Sequence, residues 1–289
     1  MAPVEPIHPD TRIGAVRLAV ANLDRSLAFY QEALGLRLHR REGPFAALGA
    51  GGPDLLTLEE QPGARPARGV TGLYHFAVLV PSRRDLARAL VRLAQLRVPL
   101  QGASDHAVSE ALYLADPDGN GIEIYRDRPR AEWPRAGQEL RMTVDPLDLD
   151  GLLAELDAAT DTWAPGAYSV DPATTIGHMH LHVADLRAAR DFYVGVLGFE
   201  LMQSFGNSAE FVSAGGYHHH LGYNIWAGRG APPPAPDMAG LRFFEVRLPN
   251  QAALEAVLER VRQAGLPLEE RAEGALVRDP SQNAVVLTT

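Results

Sequence analysis

Ile13-Gly-Ala-Val-Arg-Leu-Ala-Val-Ala-Asn-Leu23 and Ile176-Gly-His-Met-His-Leu-His-Val-Ala-Asp-Leu186 are two versions of one phrase, and that repetition decides the fold. Each is followed by a helical pattern that ends in the same words: Phe29-Tyr30 with Leu34-Gly35, and Phe192-Tyr193 with Leu197-Gly198. A second pair repeats likewise. Gly72-Leu-Tyr-His-Phe-Ala-Val-Leu-Val-Pro81 matches Gly240-Leu-Arg-Phe-Phe-Glu-Val-Arg-Leu-Pro249, and each precedes an amphipathic stretch, Asp85 to Leu96 and Ala252 to Ala264.

Four modules therefore start near residues 13, 72, 176 and 240. Each reads as a strand, a helix and three strands. The first helix begins near Leu23-Asp24 with Asn22 or Asp24 as its cap, and Ser82 can cap the second. Asp116-Pro-Asp-Gly119 is a turn between the last two strands of module two, and Asp279-Pro-Ser281 corresponds to it in module four. The reading is an α+β fold: four βαβββ modules in two tandem halves, forming two cup-shaped mixed β half-barrels with helices outside. The halves are residues 1–126 and 176–289. Residues 127–175, rich in Pro and Trp with a short helix signal at Leu149 to Leu156, form an ordered connector. Pro232-Pro-Pro-Ala-Pro236 is a stiff link.

Composition excludes several classes of function. The net charge of −9 argues against a nucleic-acid binder, which needs a basic face. With no cysteine there is no disulfide, thiolate zinc site, iron–sulfur cluster or cysteine nucleophile. Any metal must be held by His, Asp or Glu. No apolar run is long enough to span a bilayer, and the first residues lack a basic and an apolar leader region, so the expectation is a cytoplasmic protein without membrane partners.

The stretch from His106 through Tyr113 and Asp116-Pro117-Asp118-Gly119 to Glu123 puts an imidazole, a phenol and a carboxylate on neighbouring strands that can face one cavity. Duplicated strand–helix–three-strand modules with Phe-Tyr and Leu-Gly after the first helix resemble the vicinal oxygen chelate superfamily. That superfamily includes glyoxalase I, fosfomycin-resistance proteins and extradiol ring-cleaving dioxygenases. Within it, His106, Leu112, Tyr113, Asp116, Pro117, Gly119 and Glu123 fall on the extradiol dioxygenase signature, with Ser104 as a flanking departure. The whole chain resembles bacterial catechol 2,3-dioxygenases.

The resemblance places metal ligands on the first and last strands of paired modules. The candidate positions are Ala15 and a residue near Leu56 in module one, His75 and Glu123 in module two, His178 and His220 in module three, and Phe243 and Val286 in module four. Ligands are concentrated in the inner modules. Pairing of module two with three, and one with four, gathers His75, Glu123 and His178 in one cup and leaves the other apolar and structural. His178 shares a strand face with His180 and His182, so its choice rests on the family position.

Two imidazoles and a carboxylate leave about three positions open, as in non-heme Fe(II) oxygen chemistry, and the donor set also suits Mn(II). The resemblance implies ring cleavage of catechol or a substituted catechol by O2, in aromatic catabolism, with a homodimer compatible. It also implies that Tyr113 and His106 contact the substrate and that one histidine of Tyr217-His-His-His220 is the acid–base group. On a strand His218 and His220 would share a face and His219 would point away, which favours His220, with His219 as the rival. Asn224 and Trp226 can line the mouth. Two alternatives remain: a glyoxalase-like lyase or isomerase with His220 as a fourth ligand, and a non-enzymatic small-molecule binder, which would not need these ligands.

Overall fold

The computed structural model describes residues 5–136, 139–157, 161, 163 and 167–289; parts of the connector lie outside these. Two sheets organise the chain, and they join the modules as the ligand count requires. The eight-stranded sheet combines module one (Arg12–Val20, Arg37–Glu42, Phe45–Gly49, Asp54–Glu60) with module four (Gly240–Arg247, Glu269–Arg271, Gly274–Arg278, Ala284–Thr288). The nine-stranded sheet combines module two (Gly72–Leu79, Gly102–Asp105, Ser109–Ala115, Gly121–Asp127) with module three (Thr175–His182, Glu200–Phe205, Ala209–Ser213, Leu221–Asn224). A connector strand, Asp145–Pro146, adds to its edge by pairing with Gly102–Asp105.

At the centre of the second sheet, Gly72–Leu79 runs antiparallel to Thr175–His182. Each of these strands is parallel to the last strand of its own module. The cross-strand pairs His180↔His75 and His178↔Ala77 are exchanged by a local two-fold that carries His75 onto His178 and Ala77 onto His180.

The helices form where the sequence supplies caps. Asn22 accepts from the Arg25 amide at 2.8 Å, so Asn22 and not Asp24 starts Leu23–Glu32. Ser82 Oγ accepts from the Asp85 amide ahead of Arg83–Gln95. Asp185 and Asn250 do the same for Leu186–Tyr193 and Gln251–Gln263. The connector helix is one turn shorter at its end than its sequence signal, Leu149–Leu153. The apolar faces of the helices (Leu23, Leu27, Leu86, Leu93, Phe192, Val257, Val261) close onto Leu18, Phe76, Met179 and Phe244 in one continuous core.

The repeated Phe-Tyr word has a structural job. The fully buried Tyr30 in the module-one helix donates to Asp116 Oδ2 at 2.8 Å, in the turn of module two. Tyr193 in the module-three helix donates to Asp279 Oδ2 at 3.0 Å, in the turn of module four. These bonds tie one sheet to the other. Both carboxylates also organise their own turns: Asp116 accepts from the amides of Asp118 and Asn120, and Asp279 from those of Ser281 and Asn283.

The cup of modules one and four departs from a purely apolar filling. Phe243, Leu276, Ala284 and Val286 do cluster there. Arg17 enters as well, its guanidinium 5.0 Å from the Phe243 ring centre and 3.2 Å from Glu273. A long side chain with an apolar stem can fill such a cup, which hydrophobic patterning alone does not foresee.

Candidate metal centre

The local two-fold brings the first strands of modules two and three side by side, and three buried side chains meet there. His178 Nε2 lies 3.1 Å from Glu123 Oε2, and His75 Nε2 lies 3.0 Å from the same oxygen. The imidazole centroids are 5.6 Å apart. One donor atom from each of His75, Glu123 and His178 falls within 4.8 Å of the others. The alignment of His75 Nε2 with the carboxylate is not that of a hydrogen bond, and the nitrogen is buried without a hydrogen-bond partner. Three donors gathered this closely, one of them otherwise orphaned, fit a cation better than a self-contained polar cluster.

The electrostatics agree. Burial alone would raise the Glu123 carboxyl, but His178 and His75 overturn that and hold it well below the ordinary carboxylate range. Burial lowers His178 to about 4 against the pull of Glu123. His178 is therefore a neutral imidazole and Glu123 an ionised carboxylate, the forms that bind metals.

The same two-fold identifies where a fourth ligand would stand. Glu123 pairs with Ala77 on the neighbouring strand. The residue paired with His180, the counterpart of Ala77, is Gly222. Module three thus offers no side chain at the position equivalent to Glu123, and a Cβ there would come within 3.1 Å of the His180 ring.

His220, expected both as acid–base group and as rival fourth ligand, is two residues short of that position. Its ring points away. Nδ1 accepts from the Ala214 amide at 3.1 Å and meets Ser213 Oγ at 3.0 Å, and the ring lines a separate cavity with Asp127 and Tyr217. The alternation argument fails because residues 217–220 are loop, not strand, and follow two glycines with positive φ, Gly215 at 58° and Gly216 at 66°. His219 is the member of the run that reaches the ligand cavity; its ring centre is 4.1 Å from that of His178.

Above the three donors lies a cavity of about 360 Å³, lined by His75, His106, Tyr113, Glu123, His180 and His219 among others. Tyr113 is the direct cross-strand partner of Glu123. Its phenol is 2.6 Å from His106 Nε2, and His106 Nδ1 is 2.6 Å from the Thr143 carbonyl. A carbonyl can only accept, so His106 carries its proton on Nδ1, and in the neutral ring Tyr113 donates to Nε2. Burial, then Glu123, raises the Tyr113 phenol well above its ordinary value, so it stays protonated.

Trp226 lines the cavity and is half exposed beside Tyr74, as a mouth residue would be. Asn224 does not line it. It is fully buried, donating to His180 Nε2 and accepting from His182 Nδ1. The sequence reading missed Met142 and Thr143, which the connector brings to the cavity wall, and Phe205 and Phe211 opposite. Nothing in the repeat marks the connector, because it belongs to no module.

A sequence model of the glyoxalase/bleomycin resistance protein/dioxygenase superfamily matches residues 12–124 and 175–287. The chain belongs to this superfamily. A Bacillus subtilis (strain 168) protein named catechol-2,3-dioxygenase is 48% identical over 285 residues, 97% of this chain and 98% of that one. A Bacillus subtilis crystal structure provisionally described as a dioxygenase superposes with a TM-score of 0.67 at 17% identity, over 99% of this chain and 86% of that one. Glyoxalase I from Zea mays gives 0.56 at 17%, over 96% and 92%. These structural likenesses establish the shared superfamily fold.

Proposed function

We propose that the chain is an extradiol ring-cleaving dioxygenase that takes catechol or a substituted catechol and O2 at a single non-heme Fe(II). The observation that carries this reading is the three-donor set His75, Glu123 and His178, with Gly222 where the local two-fold would put a fourth donor. A 2-His-1-carboxylate set with open positions is the donor set of non-heme Fe(II) oxygenases, and Mn(II) also tolerates it. The relative named catechol-2,3-dioxygenase supports the same chemistry. A glyoxalase-like reading with His220 as fourth ligand loses its ligand, because that ring faces another cavity.

Iron(II) held by these residues would supply Lewis acidity toward the two diol oxygens and a path for electrons from ring to O2. The chain's own residues would do the remaining work. Tyr113, kept protonated by burial, donates to an oxygen of the substrate when it swings from His106. His219, held neutral by burial and then by its neighbours His178 and His218, accepts a diol proton and returns it later. Tyr74, Phe205, Phe211 and Trp226 flank the ring and limit water. Both oxygen atoms of O2 enter the product, a hydroxymuconic semialdehyde.

The test is anaerobic loading with Fe(II) followed by catechol and air. Stoichiometric oxygen uptake with a yellow product absorbing in the near ultraviolet is expected. Iron-loaded protein that consumes no oxygen with any of a panel of catechols would defeat the assignment.

A further inference from the structure

Behind His219 lies a pair of groups that the reaction above does not use. His219 Nδ1 is 2.7 Å from His218 Nδ1, and His218 Nε2 is 2.9 Å from Asp127 Oδ1. His218 is fully buried and Asp127 half-buried. Asp127 lies four residues beyond Glu123 on the same strand, so both carboxylates point to one face. Tyr217 donates to the same Asp127 carboxylate at 2.9 Å and receives a bond from Tyr125 at 2.8 Å.

We propose that Asp127 and His218 are positioning residues that fix His219 in the tautomer with its proton on Nδ1 and its Nε2 lone pair free for the cavity. A carboxylate only accepts, so His218 carries its proton on Nε2. In a neutral His218, Nδ1 is then an acceptor. The proton in the 2.7 Å contact must therefore come from His219 Nδ1. With Nδ1 spent on His218, Nε2 is the nitrogen left for a diol. A neutral His218 is part of the proposal: it is the ring that holds one proton toward Asp127 and accepts one from His219. The same logic of a carboxylate setting a histidine's tautomer operates in hydrolase triads, here through one more imidazole. Sequence alone does not reveal it, since residues 127 and 218 are joined only by the pairing of modules two and three.

The proposal rests on the reading of His219 as the base of the site, but its primary test does not. Ring nitrogen shifts in ¹⁵N-histidine-labelled protein loaded with diamagnetic Zn(II), assigned with His219→Gln, distinguish Nδ1–H from Nε2–H without any substrate. Wild type is expected to show His219 as Nδ1–H. Asp127→Asn, which can donate where Asp127 cannot, is expected to shift His219 toward Nε2–H. With Fe(II) it should lose about a hundredfold or more in kcat, with KM within about two-fold and metal content unchanged. Tyr217→Phe, which removes the other partner of Asp127, should keep the wild-type tautomer and so controls for general disturbance. His219 found as Nε2–H in wild type overturns the proposal, whether or not the variant folds. So does an Asp127→Asn protein with an unshifted tautomer, or one with a shifted tautomer and unchanged kcat. A wild type that cleaves no catechol counts against the assigned reaction, and the nitrogen shifts still decide the tautomer.

Discussion

Gly121→Ala should dismantle the metal centre without touching any of its ligands. A Cβ at Gly121 would sit 1.9 Å from the Tyr74 carbonyl oxygen and 3.0 Å from its carbon, on the neighbouring strand next to His75. Both atoms are backbone, so no side chain can rotate away. Restoring even a tight contact of 3.0 Å requires the strands to part by about 1 Å. Glu123 is two residues along the displaced strand, and His75 is on the strand it leaves. Metal–ligand distances tolerate only about 0.2 Å, so a shift of this size is expected to weaken metal binding by about 10–100-fold. Chelator competition with Zn(II) or Fe(II) measures it, beside a thermal melt. Gly119→Ala is the comparison. There φ is +89° and the nearest atom to a Cβ is Pro66 Cβ at 3.9 Å, so the substitution adds backbone strain of about 1–2 kcal/mol but no clash at the site. Its melt should fall while its metal affinity holds. Equal metal affinity in the two variants would refute the claim that the strand separation at Gly121 sets the ligand geometry.

Tyr30→Phe and Tyr193→Phe should each cost about 1–3 kcal/mol in urea unfolding, since each removes a buried donor to a carboxylate; near-additivity in the double variant is expected for separate ties, and losses below a few tenths would show the ties to be idle. His220→Gln should leave the rate of ring cleavage near wild type, because His220 faces the second cavity; a loss of a hundredfold would restore it to the site. The wild type should also lose stability in acid partly through His220. Burial lowers its folded value to about 3, so below the ordinary 6.5 the unfolded chain takes up a proton that the folded one refuses. That contribution is complete above 6.5 and falls away as the pH drops toward 3, so unfolding curves of His220→Gln should depend less steeply on pH across that window.

The repeat was legible because every module caps its helix, modules one and three share the Phe-Tyr word and modules two and four share the turn carboxylate, and that tyrosine and carboxylate join one module to the next. The pairing of the two inner modules with each other, and of the two outer ones, was legible from the count of ligand-type residues at the repeat positions. His75 and Glu123 make only part of a ligand set, and pairing module two with module three adds His178 to it. His220 was misplaced for a physical reason: period-two reasoning assumes a strand, and the run after Gly215-Gly216 is a loop whose side-chain directions have no period. Arg17 in the outer cup and Met142 and Thr143 at the cavity wall were not legible, because nothing local says where a long side chain or a connector will lie.

The asymmetry of the inner cup ties the fold to its chemistry. Two modules related by a local two-fold would naturally supply a symmetric four-ligand site: a histidine from each first strand and a side chain from each last strand. This chain keeps the two histidines and one last-strand ligand, Glu123, and puts Gly222 at the other place. The space released is taken by the His180 ring, which Asn224 holds through Nε2 and which would crowd any Cβ at residue 222. One side of the site is thereby closed by ligands. The other opens onto the cavity where His219, His106 and Tyr113 stand. A site with three fixed donors and a walled open face can admit a two-oxygen ligand and a second small molecule together, which a four-donor site does less readily. Glycine at one symmetric position thus leaves the duplicated scaffold with the open side that the proposed oxygen chemistry needs.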